Sequence, residues 1–341
     1  MEKFGAGKRI LLAMPDWFLY NETKQRLEEY GFEVIGIPFP GHFEYRNFGD
    51  RAYNFIRKVL FRDRGYKAYL KYRDTGEHIS QAVDSLSGQI DYALMIRADF
   101  YPVEIVKKIK SKVDKLVGYQ WDGLDRFSPI FKLIPYFDRF FVFDPYDLDY
   151  PNVLPTTNFY FEKQHKKNTT EDIDVYYIAN FVRERIKRIR SLGSFLNSIG
   201  SNSVIKLVSK NPKVVEKYQS DAYNLSSDYV SYEDNLAYVN RSRILIDFLH
   251  NVHHGLSFRI FEALGSQKKL ITDNKEVTKY DFYNPENIYI ITNDKYEGLS
   301  EFIRAPYKPI ANDIRDKYSF ENWIKYVLDI SPHQPISLPK V

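Results

Sequence analysis

Arg259 and Glu262 interrupt an otherwise apolar run in the stretch HHGLSFRIFEALGSQKKLITDN, residues 253–274. Three positions apart, they share one face of a helix. That helix follows the apolar stretch RILIDFL (243–249) and the loop HNVHHGL, with Ser257 at its N-cap position. A helix N-terminus presents backbone N–H groups and positive partial charge, which suits a phosphate. Arg259 adds a planar guanidinium able to grip a diphosphate with two parallel hydrogen bonds. Glu262, one turn further in, offers the acceptor pair that two adjacent ribose hydroxyls need. The plain alternative is a surface i,i+3 ion pair, worth about 0.2–0.5 kcal/mol.

Other side chains of the right type stand at the ends of apolar runs. IANFVRERIKR (178–188) carries Arg183, Arg185 and Lys187 just past a strand, where they could neutralise phosphate or form a solvated basic face. Lys210 follows the strand SVIKLVS in the same way. KLVGYQ (115–120) ends directly in Trp121 and Asp122. Asp122 is a candidate general base for a hydroxyl, or a helix cap for the turn that follows. Trp121 is a candidate stacking platform for a sugar, and Asp16, just after the first strand, is a second candidate base. Two groups imitate metal sites. DLD (147–149) has the D-x-D spacing, which arises often by chance, and HNVHH has three histidines but no familiar zinc spacing. GAGK (5–8) precedes a strand instead of following one and lacks the Ser/Thr of a phosphate loop.

These positions need a scaffold, and the chain alternates short apolar runs with amphipathic ones. Strands are expected at 9–14, 33–39, 91–96, 115–120 and 139–143. A helix over 21–31 is expected to be capped by Asn21 and stopped by Gly31, and 50–87 reads as helical. The stretch 151–172 has two prolines and then a polar run, and reads as a connection. Alternation restarts with strands at 173–179, 203–209, 243–249, 268–273 and 287–292. Helices are expected at 183–199, 213–219, 232–241, 257–265 and 313–330. At 341 residues the chain exceeds one ordinary core. The expectation is α/β: two Rossmann-like doubly wound domains, 1–157 and 158–312, facing a cleft, with 313–341 as a helix and tail packing back across them.

Composition narrows the classes. Hydrophobic residues make up 44% and charged residues 28%, as in an ordinary globular protein. The net charge of +4 is too small to argue for nucleic acid, and none is expected as a partner. The absence of cysteine excludes disulfides, thiolate catalysis and cysteine-bound zinc, and fits a cytoplasmic setting. No stretch approaches the roughly 18 apolar residues of a membrane span, and the N-terminus does not read as a signal peptide. The 28 Tyr and 25 Phe are either genomic usage or stacking surface. In 52–74, Arg and Lys interleave with Tyr, Phe and Leu, which predicts a cover helix or contact with an anionic membrane surface.

GLSFRIFEALGSQKKLITDN resembles the donor-binding segment of GT-B-fold glycosyltransferases, most of all the group 1 and CgeB-like families of bacterial surface-polysaccharide (lipopolysaccharide or capsule) synthesis. The resemblance covers 173–295 best. WDGLDRFSPIFKLIPYFDRFFVFDPYD (121–147) is more weakly similar to a stretch in lipopolysaccharide-type transferases. It implies a nucleotide-sugar donor in the C-terminal half, with Glu262 on the ribose and His254, Gly255, Leu256, Ser257 and Arg259 at the phosphates. Arg183, Arg185 and Lys210 would add charge, and Asp122 or Asp16 in the N-terminal half would deprotonate a glycan or lipid-linked acceptor beside Trp121. Fixed charges would stabilise the leaving nucleotide, so neither metal nor cofactor is expected. His254 stands where many retaining members have a second glutamate, which leaves stereochemistry open. A non-hydrolysing nucleotide-sugar epimerase and a non-catalytic glycan-binding relative are the alternatives.

Overall fold

The computed structural model describes residues 3–40, 45–61, 65–162, 170–249, 254–293 and 295–341. The chain divides into two compact units, Met1–Thr156 with Val327–Ser331 and Thr157–Tyr326 with Pro332–Val341. No described helix is long and apolar enough to cross a membrane.

The first unit runs β1 (Arg9–Ala13), α1 (Phe18–Glu29), β2 (Glu33–Gly36), α2 (Phe48–Leu60), α3 (Gly65–Asp84), β3 (Tyr92–Ile96), α4 (Val103–Lys110), β4 (Lys115–Gln120), β5 (Arg139–Val142) and β6 (Leu154–Pro155). Its six strands are parallel, in the order β2-β1-β3-β4-β5-β6. β1, β3 and β4 are nearly continuous apolar runs because helices cover both faces of a parallel sheet. Leu11, Ala93, Met95 and Leu116 pack with Val83, Val106 and Ile109 of α3 and α4 on one face.

The second unit runs β7 (Ile173–Asn180), α5 (Ile186–Ser198), β8 (Ser203–Val208), α6 (Pro212–Lys217), β9 (Asn224–Ser226), α7 (Tyr232–Arg241), β10 (Ser242–Asp247), α8 (Phe258–Gly265), β11 (Lys269–Thr272), β12 (Ile288–Ile290), α9 (Leu299–Arg304), α10 (Asn312–Asp316) and all but the last two residues of α11 (Phe320–Leu328). The strands are again parallel, ordered β12-β11-β10-β7-β8-β9. Numbered within the unit, this is the 3-2-1-4-5-6 order of dinucleotide-binding sheets. The pleat sends Val175, Ile244 and Ile246 to one face against α5, and Tyr176 and Leu245 to the other against α8. Gly265 closes α8 directly over Tyr160, and any side chain there would strike that ring.

Three expectations change. α1 begins at Phe18 with Trp17 at its N-cap position, so Asn21 lies inside the helix instead of capping it. Its exit is as expected, with Gly31 at φ +101°. The 50–87 segment is two helices, α2 and α3. The boundary between the two units, Thr156–Thr157, falls within 151–172; there β6 pairs with β5, and Thr156–Phe161 are buried. The final helix is broken in two. Tyr160 N–H donates to Tyr318 O at 3.1 Å and Phe320 N–H to Tyr160 O at 2.8 Å. That bridge falls at the turn between α10 and α11.

Candidate functional site

In a doubly wound sheet the strand order reverses at one point, and the crevice there opens at the carboxyl ends of the strands. In the second unit the reversal falls between β7 and β10. Past β7 runs the turn Val182–Arg185 that leads into α5, and past β10 runs the loop to α8. Residues 250–253 of that loop, with His250 and His253 of the HNVHH group, lie outside the described residues.

Asp247 closes β10 and is buried. Ser257 Oγ donates to Asp247 Oδ1 at 2.7 Å, so the serine has the extended backbone of an N-cap residue but does not cap α8 with its side chain. Burial raises the Asp247 carboxyl above the ordinary range, while Ser257, Arg259 and Arg185 pull it back down. The charges of Arg185, just before α5, and Arg259, in α8, therefore both act on this buried carboxylate. Arg259 lies 5.5 Å from the centre of the Tyr177 ring on β7 and has no ion-pair partner among the described residues. The i,i+3 pair with Glu262 does not form. Glu262 is half-buried one turn further in, and burial raises its carboxyl too, opposed by Arg259. Asn235 Nδ2 approaches Glu262 Oε1 at 3.5 Å, and Tyr176 Oη donates to Asn235 Oδ1 at 3.2 Å. Glu262 is thus tied through α7 to β7.

The loop is anchored at both described ends. Leu249 N–H donates to Asp273 Oδ1 at 2.6 Å, and Arg188 pairs with the other Asp273 oxygen. Asn158 Nδ2 donates to Leu256 O at 2.8 Å. Leu256 points its side chain into the core beside Ile260 and Phe261, and Gly255 is buried behind it, while His254 is exposed. Arg183 is exposed on the turn. Lys210 is exposed past β8, one strand beyond β7, and makes none of these contacts.

The first unit reverses its order between β1 and β3. Arg97, the residue after β3, is buried and adopts a left-handed backbone at φ 59°, which costs a non-glycine residue about 1–3 kcal/mol. Its guanidinium pairs with Asp99 through two 2.8 Å hydrogen bonds and with Asp122 through a third. Phe127 and Phe100 lie 4.1 and 4.8 Å from it. Arg126 reaches the other Asp122 oxygen at 3.2 Å. Asp122 therefore caps no helix; it is held by two arginines. Gln120 Nε2 donates to Asp99 at 3.0 Å, leaving its own buried oxygen without a partner. Trp121 stacks on Trp17, ring centres 6.0 Å apart at 23°. Asp16, beside Trp17, is exposed. In the DLD triplet, Asp147 is buried and accepts from Leu124 N–H, a structural task.

Arg97, Asp99, Gln120, Asn235, Asp247 and Asp273 are absent from the sequence-derived set. The signal was available for five of them, since Arg97, Asp99, Gln120, Asp247 and Asp273 all stand at or just past the carboxyl end of an apolar run.

No protein-family model matches the chain, and no curated protein matches it in sequence. Solved structures do match. The lipopolysaccharide outer core galactosyltransferase WaaB aligns at TM-score 0.51 and 12% identity, over 93% of this chain and 98% of the other. TarM aligns at TM-score 0.55 and 10% identity, over 96% and 99%. A UDP-forming α,α-trehalose-phosphate synthase from Burkholderia xenovorans aligns at TM-score 0.53 and 9% identity, over 88% and 92%. Two parallel six-stranded α/β units, matched along nearly their whole length by these structures, are the two-domain Rossmann-like GT-B fold.

Proposed function

We propose that the chain is a glycosyltransferase, moving a sugar from a nucleotide-sugar to a surface-glycan or lipid-linked acceptor. The observation that carries the reading is the β7–β10 crevice. There Arg185 stands at the start of α5 and Arg259 in the first turn of α8, with the half-buried acceptor Glu262 one turn behind Arg259. A nucleoside diphosphate has the matching order of groups, with ribose hydroxyls for Glu262 and phosphates for Arg259, Arg185 and the 254–257 backbone. Arg183 and Lys210 lie at the periphery. In the reaction the acceptor hydroxyl oxygen bonds to the anomeric carbon, whose bond to the diphosphate oxygen breaks. Arg185, Arg259 and the α8 dipole take up the charge left on the nucleotide, so transfer proceeds without metal. The acceptor proton goes to Asp16 or Asp122, beside the indole faces of Trp17 and Trp121. That one structural neighbour is a galactosyltransferase and another a UDP-forming synthase supports the class, and the proposed setting is the cytoplasm.

A thermal-shift series with UDP, GDP, CMP and their sugars tests the reading, because a ligand that binds the native state alone raises its stability. One nucleotide should stand out, and Glu262→Ala should weaken it by about 1.5–3 kcal/mol, the worth of a charged hydrogen bond. Undiminished affinity in the folded variant would remove the ribose assignment. Transfer should persist in excess EDTA; activity lost to chelation and restored by Mn²⁺ would overturn metal independence.

A further inference from the structure

α2 packs on the first unit with its polar side. Asn54 is buried, its Nδ2 donating to Tyr45 Oη at 2.7 Å. Asp50 accepts from Tyr66 Oη at 3.1 Å and from Arg73 at 2.9 Å, and Arg57 lies over the Tyr53 and Tyr66 rings. At 100° per residue, Asp50, Asn54 and Arg57 share one side. The opposite side carries Phe48, Phe55, Ile56, Val59 and Leu60 in one stripe. These face solvent: Phe48 is 82% exposed, Phe55 66%, Val59 56% and Leu60 72%. Arg51 and Lys58, seven residues apart along one edge of the stripe, are exposed as well. The single acidic residue of the helix, Asp50, is turned inward.

Outward apolar residues edged by cations, with no outward carboxylate on the helix, match the boundary between anionic headgroups and acyl chains. A second copy paired face to face and antiparallel would instead set one positive edge against another. We propose that α2 is a membrane-docking helix, its stripe entering an anionic bilayer while Arg51 and Lys58 engage the headgroups. This surface does not depend on the sugar-transfer reading. It also relocates the charge expected over 52–74: Arg57 is turned inward, and Arg62 and Arg64 lie outside the described residues.

Co-sedimentation of the full chain with phosphatidylglycerol–phosphatidylcholine vesicles is the test. The chain should bind these vesicles, and salt should weaken binding without abolishing it, since only the charged part is screened. Phe55→Ser with Leu60→Ser should lower the partition coefficient roughly a hundredfold. Arg51→Ser with Lys58→Ser should lower it roughly fivefold per charge at low salt. All four positions are exposed, so melting temperatures should not move. Phe55→Trp keeps the stripe apolar; relative to wild type, its added emission should shift blue on vesicles and be quenched by acyl-chain bromines. Three results would overturn the proposal. They are no binding at low salt, binding indifferent to the serine pair, and a wild-type dimer in light scattering that the serine pair dissolves, which would assign the stripe to a second copy.

Discussion

The two sheets carry similar equipment at their carboxyl edges, arranged to opposite effect. Past β3, Arg97 is buried and shared between Asp99 and Asp122, with aromatic rings against it. Past β10, Arg259 has a ring beside it but no carboxylate paired with it among the described residues. A guanidinium already matched by two carboxylates is structural, since its donors and its charge are both satisfied. A guanidinium facing only an aromatic ring and a carboxylate tied up by serine keeps its donors for an anion. Residue type alone does not make an anion site; the state of pairing does.

The comparison fails first, and most visibly, at Arg97. Arg97→Met leaves Asp99 and Asp122 facing each other in a half-dry pocket. It should cost about 3–5 kcal/mol of stability, as for a buried pair that loses one member. Urea unfolding measures the loss, and nucleotide affinity in the surviving folded protein should not change. Arg259→Ala should do the reverse, weakening nucleotide binding by about 2 kcal/mol in calorimetry with little effect on unfolding. If Arg259→Ala destabilises as much as Arg97→Met, the distinction between a satisfied and an available arginine is lost.

A smaller effect concerns Asp247, whose carboxyl burial holds above its ordinary value against Ser257, Arg259 and Arg185. A carboxyl raised in the folded state contributes stability below the ordinary carboxylate range, and that contribution is lost as pH rises through the raised value. Asp247→Asn keeps the acceptor for Ser257 and cannot ionise. Relative to wild type it should gain stability as pH rises from acid to neutral. Chemical denaturation across that window checks the sign. The smallest effect expected is for Lys210→Ala, exposed and one strand away from the crevice. It should change nucleotide affinity by under about 0.5 kcal/mol, and a larger loss would extend the site across β8.

Alternating apolar and amphipathic runs were enough to determine two parallel α/β units, because a strand covered on both faces must be apolar throughout. The local period likewise put Arg259 and Glu262 on one helix face, since three residues are nearly one turn. Pairing was beyond that reach. Arg97 and Asp122 are 25 positions apart and meet only because β3 and β4 are neighbours in the sheet. Ser257 reads as a cap, yet Asp247, ten positions earlier, takes its hydroxyl. The stretch over α2 reads as basic, while the burial of Asn54 turns its apolar side to solvent. Sequence by itself determined the elements and the spacings within one turn or one strand. Tertiary structure decided which charges are satisfied and which faces are left open, because both depend on side chains that the fold, and not the chain, makes adjacent.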